Sequence, residues 1–311
     1  MVTLGLGTYR VRGSVAGAVR MALAEGCALI DTAPNYERGT AQQQIGAVIG
    51  AGRLDDPLTM SSKVGFLTPG IRRDAQAAGV LPPRSLLGHC IEAAYLRWQL
   101  RRTLAELHAP RLGVLYLHNP DHHHDGDPGA LLGRIRAAFA ACEEAHDIRL
   151  IDAYGVATWR GLADDRRPSA FTVADLIRTA RDVAGDAHHF RAVQLPVSLV
   201  RLSALTRAVR HGDGPLADAE DAGVQVAVSA PLHGGELLDL ASADLAGLIR
   251  PGLNPAQACL LVAASAPGVS SVLVSTCNKD HWRQAVDIVS IVPQLPARDL
   301  RRIVDVLDPR P

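Results

Sequence analysis

Lysine is almost missing from this chain of 311 residues: of its 32 basic side chains, only Lys63 and Lys279 are not arginine. The abundance of Ala, Arg and Gly points to a coding bias that places arginine wherever a cation suffices. A surviving lysine then either marks a need for a compact ammonium with a shiftable pKa or persists by chance. Cysteine is sparse as well. The five, at 27, 90, 142, 259 and 277, are odd in number and form no Cys-x-x-Cys pair, which fits a reducing compartment better than a disulfide framework. Neither sign of charge prevails, since 32 acidic groups balance the 32 basic ones, so an electrostatic grip on nucleic acid or an anionic membrane is not expected. One stretch, 251–278, carries no charge, but Pro255, Pro267 and Gly268 interrupt it, and it reads as helix, turn and buried strand rather than a membrane span. The N-terminus enters a strand-like pattern at once, with Arg10, Arg12 and Arg20 nearby and no signal-peptide pattern. The expected location is the cytoplasm.

What is present is an apolar fraction of 48%, enough for a folded core, and a steady alternation of elements. Strand-like runs fall at 3–7, 28–31, 58–63, 112–118, 150–156, 192–195, 224–229 and 271–275. Helical patterns fall near 15–25, 40–50, 84–108, 129–146, 171–184, 203–222, 255–266 and 278–290, with a last helix at 297–307. The long loops 65–83 and 230–254 have room for a short helix or hairpin. Eight strand–helix repeats without a linker predict one domain over 1–311, a single (β/α)8 TIM barrel with its active site at the C-terminal ends of the strands. No Gly-x-Gly-x-x-Gly follows the first strand, and Gly5 and Gly7 alone do not make a Rossmann fingerprint.

The strand ends are therefore where chemistry is expected. Strand two ends at Asp31 and runs on to Tyr36, strand three ends at Lys63, and strand four ends at His118. Singly, each has a plain reading: Asp31 as a cap, Tyr36 as a half-buried aromatic, His118 as a structural histidine. A lysine ending a buried strand is harder to explain that way, because a buried charge needs a partner. Together they suggest that Asp31 holds Lys63 charged and that Lys63 lowers the Tyr36 pKa from about 10 toward the working range. Tyr36 would then pass a proton to a carbonyl oxygen while His118 orients that oxygen or relays charge, as suits carbonyl reduction.

These residues resemble the aldo-keto reductase superfamily nearly end to end. The resemblance is carried by GLGTYR (5–10), IDTAPNYERGTAQQQIG (30–46), SSKVG (61–65), LYLHNPD (115–121), YGVATW (154–159), VQLP (193–196), SAPLHGG (229–235) and VLVSTCNKDH (272–281). It implies Tyr36 as proton donor, Lys63 and Asp31 as its tuning pair, and His118 as the group that orients the carbonyl. It also implies a nicotinamide dinucleotide, NADPH in preference to NADH, bound without a Rossmann fold. The shape of SAPLHGG is closer to the branch of sugar and lactone-forming dehydrogenases. By the same resemblance Gln194, Ala157 and Thr158 meet the nicotinamide carboxamide, the last two replacing the family's usual Ser-Asn. Ser229, Pro231 and Leu232 lie in the cofactor turn. Ser275 and His281 stand where many members carry Lys and Arg for the 2′-phosphate, Thr276 follows Ser275, and Gln284 takes the place of a usual Glu. Lys279, one turn away, either neutralises that phosphate or is surface charge.

The implied activity is reduction of an aldehyde or ketone to an alcohol, the alternative being oxidation of a sugar hemiacetal or alcohol by the same tetrad. The substrate expected is a small carbonyl or sugar-like molecule, in a pocket made less aromatic by a 4% aromatic content. Two other classes compete. The run Asp121-His122-His123-His124-Asp125 has metal-ligand chemistry, but a barrel metallohydrolase draws ligands from several strand ends and strand one offers none, so no metal is assigned. A non-catalytic cofactor-binding partner would explain the altered carboxamide contacts, yet it has no use for a buried Lys–Asp pair. His188, His189 and His233 remain unassigned, and Trp159 is the tryptophan expected to flank the pocket.

Overall fold

The computed structural model describes residues 1–50, 58–82, 88–123, 126–162 and 170–308. The elements follow in the order β1 (Thr3–Gly7), α1 (Val15–Ala24), β2 (Leu29–Asp31), α2 (Ala41–Ile49), β3 (Thr59–Val64), α3 (Pro69–Ala77), α4 (Ala93–Leu107), β4 (Leu112–His118), α5 (Pro128–Asp147) and β5 (Ile151–Ala157). The second half runs α6 (Val173–Ala184), β6 (Phe190–Pro196), α7 (Ser203–His211), α8 (Gly214–Asp221), β7 (Gln225–Ser229), α9 (Leu237–Leu240), α10 (Ala243–Ile249), α11 (Pro255–Ala264), β8 (Val269–Val274), α12 (Lys279–Val286) and α13 (Ala297–Leu307). Each strand pairs in parallel with the next, and β8 closes on β1, giving the (β/α)8 TIM barrel.

Alternation along the strands sorts the side chains into two environments. Ile30, Val64, Leu115, Leu117, Val156, Val193 and Val228 are fully buried in the layer between strands and helices. Their neighbours point inward, where Tyr116, Ala157 and Ala192 make a small separate apolar cluster beneath the polar strand ends. Helix starts are chemically marked. Ser14 caps α1, Asp127 with Pro128 opens α5, and capping boxes Thr172/Asp175 and Asn254/Gln257 open α6 and α11. One polar thread crosses the outer layer: Tyr95, Gln99, Thr103, Gln42 and Ser62 form a chain of hydrogen bonds between α4, α2 and the outer face of β3. It supplies partners for each buried polar group and holds the strand that carries Lys63 from behind.

The strands lie within two residues of the expected bounds. The helical pattern at 203–222 is two helices, because Gly212 turns left-handed at the end of α7. The pattern at 84–108 is helical only from Ala93, and its residues 84–87 lie outside those described. The long loops hold α3, α9 and α10. All five cysteines are free, with Cys277 exposed. Among the described residues no helix is long and apolar enough to cross a membrane.

Candidate active site

Lys63 and Asp31 sit at the ends of adjacent strands, 1% and 3% exposed, and their charges are in direct contact. The register sets Asp31 beside Ser61 and Lys63 beside Tyr116, so the two groups converge from neighbouring strands onto the barrel axis. Every polar atom of the pair is supplied. Lys63 Nζ also donates to the Thr32 carbonyl at 3.0 Å, while Asp31 Oδ2 accepts from Ser61 Oγ at 2.8 Å and from Gln194 Nε2 at 3.0 Å. Burial alone pulls the Lys63 pKa down, but Asp31 and Tyr36 together push it above its ordinary 10.5. Lys63 is therefore an ammonium at neutral pH.

Tyr36 begins a short turn after β2 in which Glu37 and Arg38 have φ of 48° and 56°. Two successive non-glycine residues in the left-handed region are costly, and here they turn the chain so that Tyr36 leans over the barrel mouth. Lys63 Nζ lies 5.0 Å from the centre of its ring, the His118 ring meets it edge-on at 6.0 Å, and Tyr9 packs against it at 5.0 Å. Burial raises the Tyr36 pKa, and Lys63, opposed by Asp31, offsets only part of that rise. The expected lowering of the Tyr36 pKa is thus corrected: the phenol keeps its proton at neutral pH, and depth in the barrel, which sequence does not encode, decides the sign.

His118 closes β4 with 7% of its surface exposed. Burial first and the Lys63 charge second hold its pKa well below 6.5, so its ring is neutral. Phe66 packs edge-on against it at 4.8 Å. Sequence reasoning missed His89, which falls inside the stretch expected to be helical from residue 84 but precedes the helix that begins at Ala93, and is 2% exposed. His89 Nε2 donates to the His118 carbonyl at 2.7 Å, and since that fixes its proton on Nε2, His89 Nδ1 accepts from His123 Nε2 at 3.0 Å. This contact needs Gly65, because a Cβ there would stand 2.6 Å from the His118 carbonyl oxygen and 2.7 Å from His89 Nε2. The histidine run is therefore tied into the site on one side: His123 reaches His89, the exposed His122 stacks on the same ring at 5.0 Å, and His124 and Asp125 lie outside the described residues. The mouth also gathers Tyr9, Tyr36 and Phe66, so the low overall aromatic content does not make this pocket poor in aromatics.

The cofactor candidates divide in two. At the ends of β5 and β6, Ala157, Thr158 and Gln194 are buried, and their polar groups already have partners. Thr158 Oγ1 donates to Asp121 at 2.6 Å and accepts from Gly161 N at 2.8 Å, whereas Gln194 turns to Asp31. Asn119, itself left-handed at φ 49°, accepts from Trp159 N at 2.9 Å, and the guanidinium of Arg201 lies 4.8 Å over the Trp159 ring. β7 ends at Ser229, and after it buried Pro231 and Leu232 lie in a turn whose Ala230, His233, Gly234 and Gly235 all have positive φ. Nη1 of Arg10 and Nη2 of Arg12 stand within 4 Å of where Gly234 and Gly235 would carry a Cβ. After β8, Ser275 and His281 are exposed, Thr276 Oγ1 accepts from Asn278 N, and Gln284 bonds Asn254 at 3.3 Å. Lys279 is held by Glu25 at 2.7 Å, a carboxylate it shares with Arg283. Of its two readings, surface charge is the one this contact matches.

Solved structures share this architecture. The holo form of an aldo-keto reductase from Bacillus halodurans is 18% identical over 98% of this chain and 91% of that one, with a TM-score of 0.65. An aldo/keto reductase from Klebsiella pneumoniae, in complex with NADP and acetate, is 20% identical over 99% and 92%, with a TM-score of 0.65. A glycerol dehydrogenase from Gluconobacter oxydans is 17% identical over 99% and 93%, with a TM-score of 0.69. At these identities the similarity is one of fold. No curated protein matches the chain in sequence. The profile of the Aldo/keto reductase family, however, matches residues 3–246. With that match over most of its length, and with the barrel that bears it, this chain belongs to the aldo/keto reductase family.

Proposed function

We propose that the chain acts as one barrel domain that reduces an aldehyde or ketone to an alcohol, with NADPH preferred to NADH as hydride donor. The observation that carries this reading is the ammonium of Lys63, buried against Asp31 and set beside the Tyr36 phenol and the neutral His118 ring.

The residues present suit a nicotinamide dinucleotide unequally along its length. The glycine turn 234–235 has Arg10 and Arg12 beside it, two guanidinium forks matched to a pyrophosphate. Thr32 Oγ1 and Asn35 Oδ1 are buried without hydrogen-bond partners in the loop before Tyr36. Ser229, Pro231 and Leu232 would hold the phosphate end, and Ser275, Thr276 and His281 the adenosine end. Gln194, with Ala157 and Thr158, would meet the carboxamide. Lys279 reaches a 2′-phosphate only by leaving Glu25, and Gln284 only by leaving Asn254. The bound dinucleotide supplies hydride.

The protein's own part follows from its protonation states. Neutral His118 donates an N–H to the substrate oxygen and orients it without adding charge. As negative charge develops on that oxygen, Tyr36 gives up its proton. A phenol with a raised pKa is a weak acid toward water, but an alkoxide is a far stronger base, so the transfer runs toward the substrate. Lys63 then stabilises the phenolate in a low-dielectric setting where its charge counts most, and Asp31 keeps Lys63 aimed and ionised. Run backward, the same groups would oxidise an alcohol or sugar hemiacetal. A small carbonyl or sugar-like substrate and a cytoplasmic location belong to the same proposal.

Titration of the protein with NADPH and with NADH, followed by quenching of tryptophan emission with Trp159 as reporter, tests it. Micromolar binding with NADPH the tighter ligand is expected. Failure of both to bind would overturn the reading, and equal affinities would remove the preference for a 2′-phosphate.

A further inference from the structure

Where β6 begins, at the opposite end of the strands from Tyr36, a second cluster of titratable groups stands apart from the site described above. Glu143 and His146 are one turn apart on α5, and His189 is the residue before β6. Ligand atoms of the three lie within 4.8 Å of one another. Glu143 is firmly oriented: it accepts from the Tyr154 hydroxyl at 2.8 Å and from the His189 backbone N–H at 2.8 Å through Oε1, and its Oε2 faces His189 Nδ1 at 2.7 Å. The His146 and His189 rings are stacked with centres 3.3 Å apart and planes 18° from parallel. His146 Nδ1 is buried and has no hydrogen-bond partner; the nearest carboxylate in an ion-pair contact, Asp147, is 3.9 Å away.

A simple Glu–His ion pair accounts for Glu143 and His189. It leaves His146 unexplained, since a buried unpartnered nitrogen is costly. A shared cation gives His146 Nδ1 a partner; because an imidazole's lone pair lies in the plane of its ring, the two stacked rings must turn out of parallel to direct both nitrogens at it. We propose that Glu143, His146 and His189 bind a divalent cation of the zinc class, through Glu143 Oε2, His189 Nδ1 and His146 Nδ1. Two imidazoles and one carboxylate, with water completing the fourth position, are a donor set and count that zinc accepts. The Glu-x-x-His spacing puts two ligands on one helix face. Tyr154 and the His189 backbone orient the carboxylate from behind, as outer partners of metal ligands do. His146 and His189 keep 30% and 31% of their side-chain surface exposed, which leaves a path for the ion and its water.

Binding needs the lone pair of His189 Nδ1, so in the bound state the ring proton sits on Nε2 rather than between His189 and Glu143. Bonds of about 2.0–2.1 Å in a tetrahedron separate donors by about 3.3 Å, so the 2.7 Å contact must open slightly. The ion would clamp the end of α5 to the start of β6, the strand that carries Gln194, and its effect would be on stability rather than on the chemical step.

The test uses the untagged full-length protein, stripped with a chelator, dialysed and titrated with Co2+, then with Zn2+ in competition. The expected result is one equivalent of Co2+ with the visible absorption of a four- or five-coordinate site, and a rise in Tm on adding Zn2+. The His146 side chain takes no part in the hydrogen bonds of Glu143, so His146→Asn leaves that network intact and should weaken binding about ten- to hundredfold, while His123→Asn should not. In isotope-labelled wild-type protein the imidazole nitrogens of His146 and His189 should shift together with one equivalent of Zn2+, a readout that needs no variant. The proposal is overturned by absence of stoichiometric binding, by binding that survives His146→Asn or disappears in His123→Asn, or by shifts confined to other histidines.

Discussion

Replacing Lys63 by Met removes the cation paired with Asp31 while keeping much of the side chain's volume. The carboxylate is 3% exposed, so it cannot turn to water, and it retains only the Ser61 hydroxyl and the Gln194 amide as donors. Breaking a buried pair by deleting one partner typically costs about 3–5 kcal/mol. Two remaining hydrogen bonds to a charge offset part of that, so about 3 kcal/mol is expected here. The double variant Asp31→Asn/Lys63→Met leaves no uncompensated charge and should recover most of the lost stability, since neutral replacement of a buried pair is often harmless. Both variants should lose turnover by several orders of magnitude, because neither retains the ammonium beside Tyr36. Urea unfolding at neutral pH, with the reduction rate measured on the same preparations, reads both quantities. Burial lowers the Lys63 pKa and its partners raise it to a net value above 10.5, so the pair's contribution is complete at neutral pH. It should fade only as alkali passes that value. A Lys63→Met protein as stable as wild type, or a double variant no better than the single, would refute the account of the pair.

Burial, with some repulsion from His123 and His122, depresses the folded pKa of His89 to about 3 from 6.5. The unfolded chain thus takes up a proton that the folded one refuses, and stability should fall below pH 6.5 by about 1.4 kcal/mol per pH unit for this group. His118, also depressed, acts in the same direction. Unfolding at pH 7 and 5 should differ by about 2 kcal/mol or more, and a flat profile would contradict neutral buried histidines. Gly65→Ala should push the His118 carbonyl and His89 apart, since a Cβ would stand under 3 Å from both. A folded protein with at least a tenfold loss in kcat is expected, and unchanged kcat would deny His89 its part in setting His118.

The barrel was legible because Val, Ile and Leu dominate its outward residues, while the inward ends carry Asp31, Lys63 and His118. A charge at the end of a buried strand has few reasons to be there, and scarcity made Lys63 still easier to notice. What could not be read depends on distance through space. The sign of the Tyr36 shift follows from depth in the barrel. His89 fell in a stretch read as the start of a helix, and its reach to His118 depends on the missing side chain of Gly65. The hydrogen bond from the Thr158 hydroxyl to Asp121, in the preceding loop, was likewise not legible. Lys279 and Glu25 lie at opposite ends of the chain, and only closure of the barrel pairs them.

The central claim is that Tyr36 moves the proton and does little else. Tyr36→Phe deletes one hydroxyl and leaves the ring against Tyr9 and His118, so it separates chemistry from binding. NADPH affinity and carbonyl reduction should be measured on wild type and variant under the same conditions. The account predicts an affinity within about threefold of wild type and a turnover lower by several orders of magnitude. A variant that still turns over near the wild-type rate, or one that loses NADPH binding in step with activity, would contradict it.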